Sequence, residues 1–301
     1  MKPRVEIAIC AFNEEANIAS LLEDIRNQTL FETELLKTVT VISDGSTDRT
    51  AERARGILDE ILTVEKHQER LGKPLRLSDF YQNSKTDILI QLDADIRLAN
   101  RHVLRSLINA LRDREVGAVS GHASPLPPQN LIERIAYFGR RAWIDFINSL
   151  DESKRDRFLF DGKIIALKSS VFRSLKIPDE PADDVYLFYS TIAKKFRVRC
   201  QSKAGVYYKL PSSFGDYVFQ LSRYRQKPYR RHFSSALIDK YESGNAQAMC
   251  RAFRRNSKSD ISAACLYLFF RLISIFVSKI LNSGGRWPSI NSAKTLVIQE
   301  S

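Results

Sequence analysis

The chain has 301 residues, of which 44% are hydrophobic and 27% charged, with only 12 glycines and 10 prolines. That composition excludes collagen-like, low-complexity and disordered classes and allows one large or two small domains. The net charge is +12, but residues 194–258 hold 16 of the 47 Lys+Arg and only 3 of the 35 Asp+Glu, so the rest of the chain is close to neutral and a nucleic-acid or membrane partner is suggested by one segment only.

Val5–Ala11 is a short β-rich apolar run with no long apolar segment before it, so no leader is expected. Asn13-Glu14-Glu15 opens a helical pattern in which Ile18, Leu21, Leu22 and Ile25 share one face. Val39–Ser43 reads as a strand, followed by the turn Asp44-Gly45-Ser46-Thr47-Asp48, where Ser46 or Thr47 is placed to cap a helix. Ile61–Val64 is a third strand, Gly72–Asn83 a helix, Ile88–Leu92 a fourth and buried strand, Val103–Leu111 a helix and Val116–Ser120 a strand. Strands alternating with helices over residues 1–122 predict an α/β layer with a mostly parallel central sheet flanked by helices.

Pro125, Pro127 and Pro128 then break the pattern. Gln129–Leu150 is helical, and Asp151–Arg157 is expected to be a charged, mobile loop. Ile164–Leu167 is a strand candidate before a helix capped by Ser169 or Ser170. Asp183–Ala193 is a helix with an acidic start, Val206–Tyr208 a strand and Ser213–Gln226 a helix. The most apolar run, Ala263–Leu281, approaches the length of a membrane span but carries Arg271 and Lys279. An interfacial helix with basic neighbours fits best, and a spanning or a packed helix stays open. None of the four cysteines forms a CxxC pair, so a reduced body is expected.

Chemistry concentrates where strands end. Asp93-Ala94-Asp95 follows the buried strand Ile88–Leu92, at the sheet edge where α/β proteins bind ligands. In an extended dipeptide the two carboxylates share a side and suit Mn²⁺ or Mg²⁺ with a phosphate co-ligand. Asp44 and the pair Asn13-Glu14 also follow strands, and Lys73 sits beside Gly72, where backbone can approach a phosphate. Asp183-Asp184 opens a helix, where the bland reading is a dipole complement and the functional one a general base. Gln220 and Arg223 share a helix face, followed by Tyr224; arginine can grip a diphosphate and an aromatic ring can stack on a sugar.

In order and spacing these motifs resemble the inverting family-2 glycosyltransferases with the GT-A fold, along residues 4–228. The resemblance rests on Cys10-Ala11-Phe12-Asn13-Glu14-Glu15, Val41-Ile42-Ser43-Asp44-Gly45-Ser46-Thr47-Asp48-Arg49-Thr50, Gly72-Lys73, Asp93-Ala94-Asp95, Asp183-Asp184 and Gln220-Leu221-Ser222-Arg223-Tyr224. It implies that Asn13 and Glu14 lie beside the ribose and base and that Asp44 accepts from the base, as uracil N3–H would offer. Lys73 would approach the phosphates, Asp93 would hold the ribose or assist the metal, Asp95 would coordinate Mn²⁺ or Mg²⁺, and Asp184 would be the catalytic base beside Asp183. Gln220, Arg223 and Tyr224 would serve substrate binding.

There are three departures from the family pattern. Ser43 stands where a first acid is common, Asp183 replaces a glutamate, and Tyr224 replaces the tryptophan of processive members. With at most one apolar segment, transfer of a single sugar is favoured. The implied division is a glycosyltransferase domain over 1–228, with a nucleotide-binding half (1–122) and an acceptor half (123–228), then a basic and apolar helical extension over 229–301. The expected partners are a nucleoside-diphosphate sugar, of uridine by the Asp44 argument, a lipid-linked or glycan acceptor and an anionic membrane at its cytoplasmic face, and not nucleic acid. Two other classes compete: a sugar nucleotidyltransferase, which would open with a Gly-rich loop that Asn13-Glu14-Glu15 does not resemble, and a non-catalytic basic binding protein, since aromatics interleave the basic segment.

Overall fold

The computed structural model describes residues 3–30, 35–58, 60–280 and 290–296. Leu281, the end of the apolar run, and most of the distal part of the 229–301 extension lie outside the described residues.

The first half follows the expected alternation. Strand β1 (Val5–Ala11) leads to helix α1 (Ile18–Arg26), then β2 (Leu36–Asp44), α2 (Thr50–Ala54), β3 (Leu62–His67), α3 (Lys73–Asn83), β4 (Ile88–Asp93), β5 (Ile96–Leu98) and α4 (Val103–Ala110). Next come β6 (Val116–Pro125), α5 (Leu131–Asn148), α6 (Glu152–Leu159), β7 (Ile164–Lys168), α7 (Ser169–Phe172), α8 (Asp183–Ala193), β8 (Arg197–Tyr208) and α9 (Phe214–Arg225). Helices α10 (Ser235–Glu242), α11 (Ala246–Ser257) and α12 (Ile261–Ile280) close the body.

All eight described strands form one sheet in the order β3-β2-β1-β4-β7-β6-β8-β5. Pairings among β3, β2, β1 and β4 are parallel, whereas β4–β7, β7–β6 and β8–β5 are antiparallel and β6–β8 is parallel. The sheet is therefore mixed, and the mostly parallel expectation holds for its first half only. The reason is β7: it arrives from helices at the same edge that β4 reaches, and so enters the sheet against β4's direction.

Both faces are covered. Val5, Ile7, Ile9 and Ala11 alternate onto one face and pack with Ile18, Leu21, Leu22 and Ile25 of α1 and with α4. Ala8 turns to the other, where Leu77 and Tyr81 of α3 meet Phe172, Leu187 and Phe188. This places the carboxyl ends of β1, β2 and β4 side by side at one open edge.

Four local expectations change. Neither Ser46 nor Thr47 caps α2; Asp48 Oδ1 accepts from the Thr50 amide at 3.0 Å, while Ser46 Oγ accepts from the Asn13 amide at 3.1 Å. Neither Ser169 nor Ser170 caps α7, which follows β7 directly with Lys168 at the cap position. The segment Asp151–Arg157 is not a loop but most of α6, because Arg157 is drawn inside by a buried carboxylate. Strand β8 starts nine residues before Val206, at Arg197, because it pairs in parallel with β6 from Val116 onward, with Arg197 and Arg199 pointing to Glu115 and Asp113 at 3.3 and 3.4 Å.

Helix α12 buries Ala263, Ala264, Phe270 and Ser274 against the body. Phe270 meets the rings of Phe214 and Tyr217 on α9 at 4.8 and 5.1 Å. Its opposite side leaves Ile261, Leu268, Phe269, Leu272, Phe276 and Ile280 exposed, by 49–81%. It is long and apolar enough to cross a membrane.

Candidate active site

The site begins with two loops laced together. Asn13 has a left-handed φ of 54°, which turns the chain sharply out of β1. Its Oδ1 accepts from the Thr47 amide at 2.8 Å, the Glu14 amide donates to Thr50 Oγ1 at 2.7 Å, and the Glu15 amide donates to Asp48 at 3.0 Å. The polar residues after β1 thus fix the polar turn after β2.

Asp44 ends β2 and is 3% exposed. Its Oδ2 accepts from the Gly72 amide at 2.7 Å, and its Oδ1 accepts from the Leu71 amide at 2.9 Å and from Arg76 Nε at 2.7 Å. Both oxygens therefore hold the start of α3, and the carboxylate that the sequence reading reserved for a base is already engaged. Two glycines make this possible. At Gly45 (φ 70°) a Cβ would come within 2.6 Å of the Arg70 backbone nitrogen, and Gly72 needs φ 99° to aim its amide at Asp44. Arg70 lies over the Phe12 ring at 3.9 Å.

The loop held by Asp44 delivers Lys73. Its Nζ lies 2.5 Å from Asp93 Oδ1, 3.5 Å from Asp183 Oδ2 and 3.2 Å from the Gly162 carbonyl. One ammonium thus joins the end of β4 to the acidic start of α8, residues ninety apart in sequence. The opposed carboxylates hold the Lys73 pKa well above its usual range despite burial.

Asp93 ends β4, but Ala94 and Asp95 form a turn rather than continuing extended. The turn still leaves Asp95 facing Asp93's charge, and burial together with that charge raises the Asp95 pKa. Glu14 is pushed up to about 7, by burial first and then by Asp95. Three acids therefore gather at one edge, where Lys73 pairs with Asp93 and Lys294 with Glu14, and a divalent cation would offset the charge that raises Asp95. Among the described residues no three His, Cys, Asp or Glu converge as a complete ligand set. Asp95 with Asp93 beside it is a hard oxygen pair that fits Mn²⁺ or Mg²⁺, provided that phosphate oxygens and water fill the remaining positions.

Asp184 lies across from this pair. Burial, then the charges of Asp183 and Asp161, push its pKa up to about 6. The neighbouring Asp183 Oδ2 is buried without a hydrogen-bond partner. A Cβ on Gly162 would come within 3.2 Å of Asp184 Cβ, so the turn before β7 packs directly on the acid. On α9, Arg223 is half-buried and Tyr224 is 56% exposed. The Arg223 guanidinium lies 5.9 Å from the centroid of the Tyr224 ring. Gln220 is half-buried one turn earlier.

One residue of this site had no signal in the sequence. Lys294 reaches back over the N-terminal loop, where Nζ donates to the Phe12 and Asn13 carbonyls and pairs with Glu14 Oε1 at 3.1 Å. Ser292 anchors the same short segment to Asp216, Ser212 and Ser213. Lys294 lies 280 residues from Glu14 along the chain, and only folding shows the contact.

The glycosyl transferase family 2 model matches residues 6–165, which is more than half of the chain and contains every strand-end carboxylate described above. The chain belongs to glycosyl transferase family 2. No curated protein matches it. Among solved structures, a mannosyltransferase from Pyrobaculum calidifontis, solved with GDP-Man and Mn²⁺, superposes with a TM-score of 0.65 at 19% identity, covering 93% of this chain and 88% of that one. S. aureus TarS 1–349 in complex with UDP gives a TM-score of 0.50 at 15% identity, covering 85% and 72%. At these identities the likeness shows the fold, a GT-A-type α/β architecture, alone. Asp183-Asp184 and Gln220–Tyr224 lie beyond the stretch matched by the family 2 model.

Proposed function

We propose that this family 2 protein is an inverting transferase that moves a single sugar from a nucleoside diphosphate to an acceptor hydroxyl. The observation that supports the reading is Lys73, which ties the strand-end acid Asp93, proposed for the diphosphate side, to Asp183, the neighbour of the proposed base Asp184. The neighbours solved with GDP-Man and Mn²⁺ and with UDP support a nucleotide donor and a divalent cation. Asp44 already bonds Leu71, Gly72 and Arg76, so a uracil N3–H would have to share its Oδ2.

In this mechanism the acceptor oxygen attacks the anomeric carbon as the bond to the phosphate oxygen breaks. Asp184 accepts the hydroxyl proton, and the nucleoside diphosphate leaves with the bonding electrons. A single in-line displacement inverts the anomeric centre. A divalent cation held at Asp95 and Asp93 would supply charge stabilisation for the leaving diphosphate. Lys73 pairs with Asp93 at 2.5 Å, and Arg223 would add a second positive charge. Asn13 and Glu14 shape the ribose side, and Gln220 and Tyr224 the acceptor side.

Titrating the nucleoside diphosphate with and without Mn²⁺ tests the cation role. Asp95→Ala should lose the metal-dependent part of the affinity, about ten-fold or more, and an unchanged metal titration would remove Asp95 from that role.

The acceptor is proposed to be lipid-linked or a membrane-side glycan, with the enzyme lying on the cytoplasmic face of the cell membrane. The exposed apolar side of α12 and the surrounding basic residues support an interfacial helix over a spanning one, since its other side packs on α9. Deleting α12 would uncover Tyr217 and Phe214, so point changes are the cleaner test. Leu268→Gln, Phe269→Gln and Phe276→Gln together should release the protein from anionic liposomes in a sedimentation assay. Equal sedimentation would count against the membrane reading.

A further inference from the structure

We propose that Arg140 and Lys163 form an anion-binding subsite in the acceptor half, so that the acceptor carries a phosphate or carboxylate beside its reacting hydroxyl. The proposal rests on the reading of Asp184 as the base and adds the chemical class of the second substrate.

Residues 161–163 are wedged between the two halves of the chemistry. The Lys163 carbonyl accepts from the Asp93 amide at 2.9 Å, and Gly162 abuts Asp184. Whatever the flanking side chains bind must therefore sit beside both the diphosphate site and the base. Lys163 Nζ lies 3.3 Å from Asp161 Oδ1 and 4.3 Å above the Tyr208 ring. Arg140, reaching in from α5, donates from Nη2 to the Ala123 carbonyl at 3.0 Å and approaches Asp161 Oδ2 only to 3.9 Å. Its Nε is buried without a hydrogen-bond partner.

Two cations thus share one carboxylate, and the longer of the two contacts is an ion pair without a hydrogen bond. Arg140, Lys163 and Asp161 each keep about a fifth of the side chain exposed, so the cluster is reachable from solvent rather than sealed. A guanidinium with an unused N–H beside a second cation matches an oxyanion, which offers several acceptor oxygens in one plane of approach. The neighbours point to the acceptor as the source. Lys163 faces the Tyr208 ring and Arg140 bonds the Ala123 carbonyl. Arg140, Asp161, Lys163 and Tyr208 all come from the 123–228 half, whereas Lys73, Asp93 and Asp95 are assigned to the donor.

The test uses the full chain with its donor site filled by UDP or GDP and Mn²⁺, and glycerol 3-phosphate as probe against glycerol, read by calorimetry. Glycerol 3-phosphate should bind without displacing the nucleotide, and glycerol should not. Arg140→Gln should weaken the probe about ten-fold or more, the loss of one charge-assisted hydrogen bond. Arg140→Lys, which keeps the charge and loses the fork, should fall between. If Arg140→Gln does not melt cooperatively, Lys163→Gln replaces it with the same expected loss. Displacement of the probe by nucleotide would assign the subsite to the donor and overturn the proposal, as would equal binding of glycerol or unchanged binding in the variants. Failure of transfer with every nucleotide sugar would instead strike the functional reading and leave this binding result standing.

Discussion

Asp184→Asn should lower sugar transfer by about 10²–10⁴-fold, the usual contribution of a positioned general base, with donor affinity essentially unchanged. The separation follows from the geometry. Asp184 lies on α8, beyond the Lys73 bridge, where its Oδ1 accepts from the Val185 amide at 2.8 Å, away from the strand ends that carry Asn13, Glu14, Asp93 and Asp95. Asparagine keeps the shape beside Gly162 and removes the proton acceptor. The pH dependence provides a second readout. Burial and the charges of Asp183 and Asp161 push the Asp184 pKa up to about 6. The base works as a carboxylate, so the wild-type rate should rise with pH through about 6 and level off above it, and the residual rate of Asp184→Asn should lack that step. Weakened donor binding, measured by nucleotide titration, would move Asp184 out of the role of base.

The largest stability effect is expected away from the chemistry, at Glu242. Its carboxylate is 6% exposed and accepts from Arg157 Nη2 at 2.9 Å, Tyr189 at 2.9 Å and Tyr229 at 2.8 Å. Arg230 and Lys227 approach its second oxygen at 3.1 and 3.4 Å. Arg157 is ringed by Phe158, Phe188, Tyr189 and Tyr229 at 5.3–5.8 Å. Glu242→Gln would strand that guanidinium among aromatic rings, at a cost of about 3–5 kcal/mol in denaturant unfolding.

The sign of the acid dependence follows from the same contacts. Burial alone would raise the Glu242 pKa, but Arg157, Tyr229 and Lys227 hold it down at about 2, below its ordinary 4.5. Its contribution is therefore complete above about pH 4.5 and is lost as pH falls toward 2. Wild type should lose stability in that window, and Glu242→Gln should lose less there. The double variant Arg157→Met with Glu242→Gln should be less destabilised than the two single changes summed. A Glu242→Gln chain as stable as wild type would show the network to be incidental.

Much of the fold was written in local pattern. Strands β1, β2 and β4 have buried apolar runs with clear ends, and Ile18, Leu21, Leu22 and Ile25 announce α1 by spacing alone. The exact α8 boundary was legible in its acidic start. Elements whose side chains are polar were not. Strand β5, three residues long, is held by Arg97 gripping Asp24 at 2.7 and 2.8 Å. The start of β8 looked like surface because its arginines find acids in another part of the chain. The same holds for α6, a charged run that a buried partner turns into a packed helix.

The net charge shows the difference in kind. The +13 of residues 194–258 suggested one free basic face, yet Arg197, Arg199, Lys227, Arg230 and Arg231 all pair with acids, several of them outside the segment. Counting charge along a chain cannot see pairs made across it.

By itself the sequence determined the acids at strand ends, and with them the family. Strands end where apolar runs stop, and the first polar residues after them must lie at the sheet's edge. Only the tertiary structure decided what those acids do. It committed Asp44 to holding a loop and joined Asp93 to Asp183 through Lys73. It brought Lys294 back onto Glu14 and set two cations around Asp161. Each of these depends on residues distant in sequence meeting at a few ångströms, and the energy of such a pair depends on burial and partners that no local window contains.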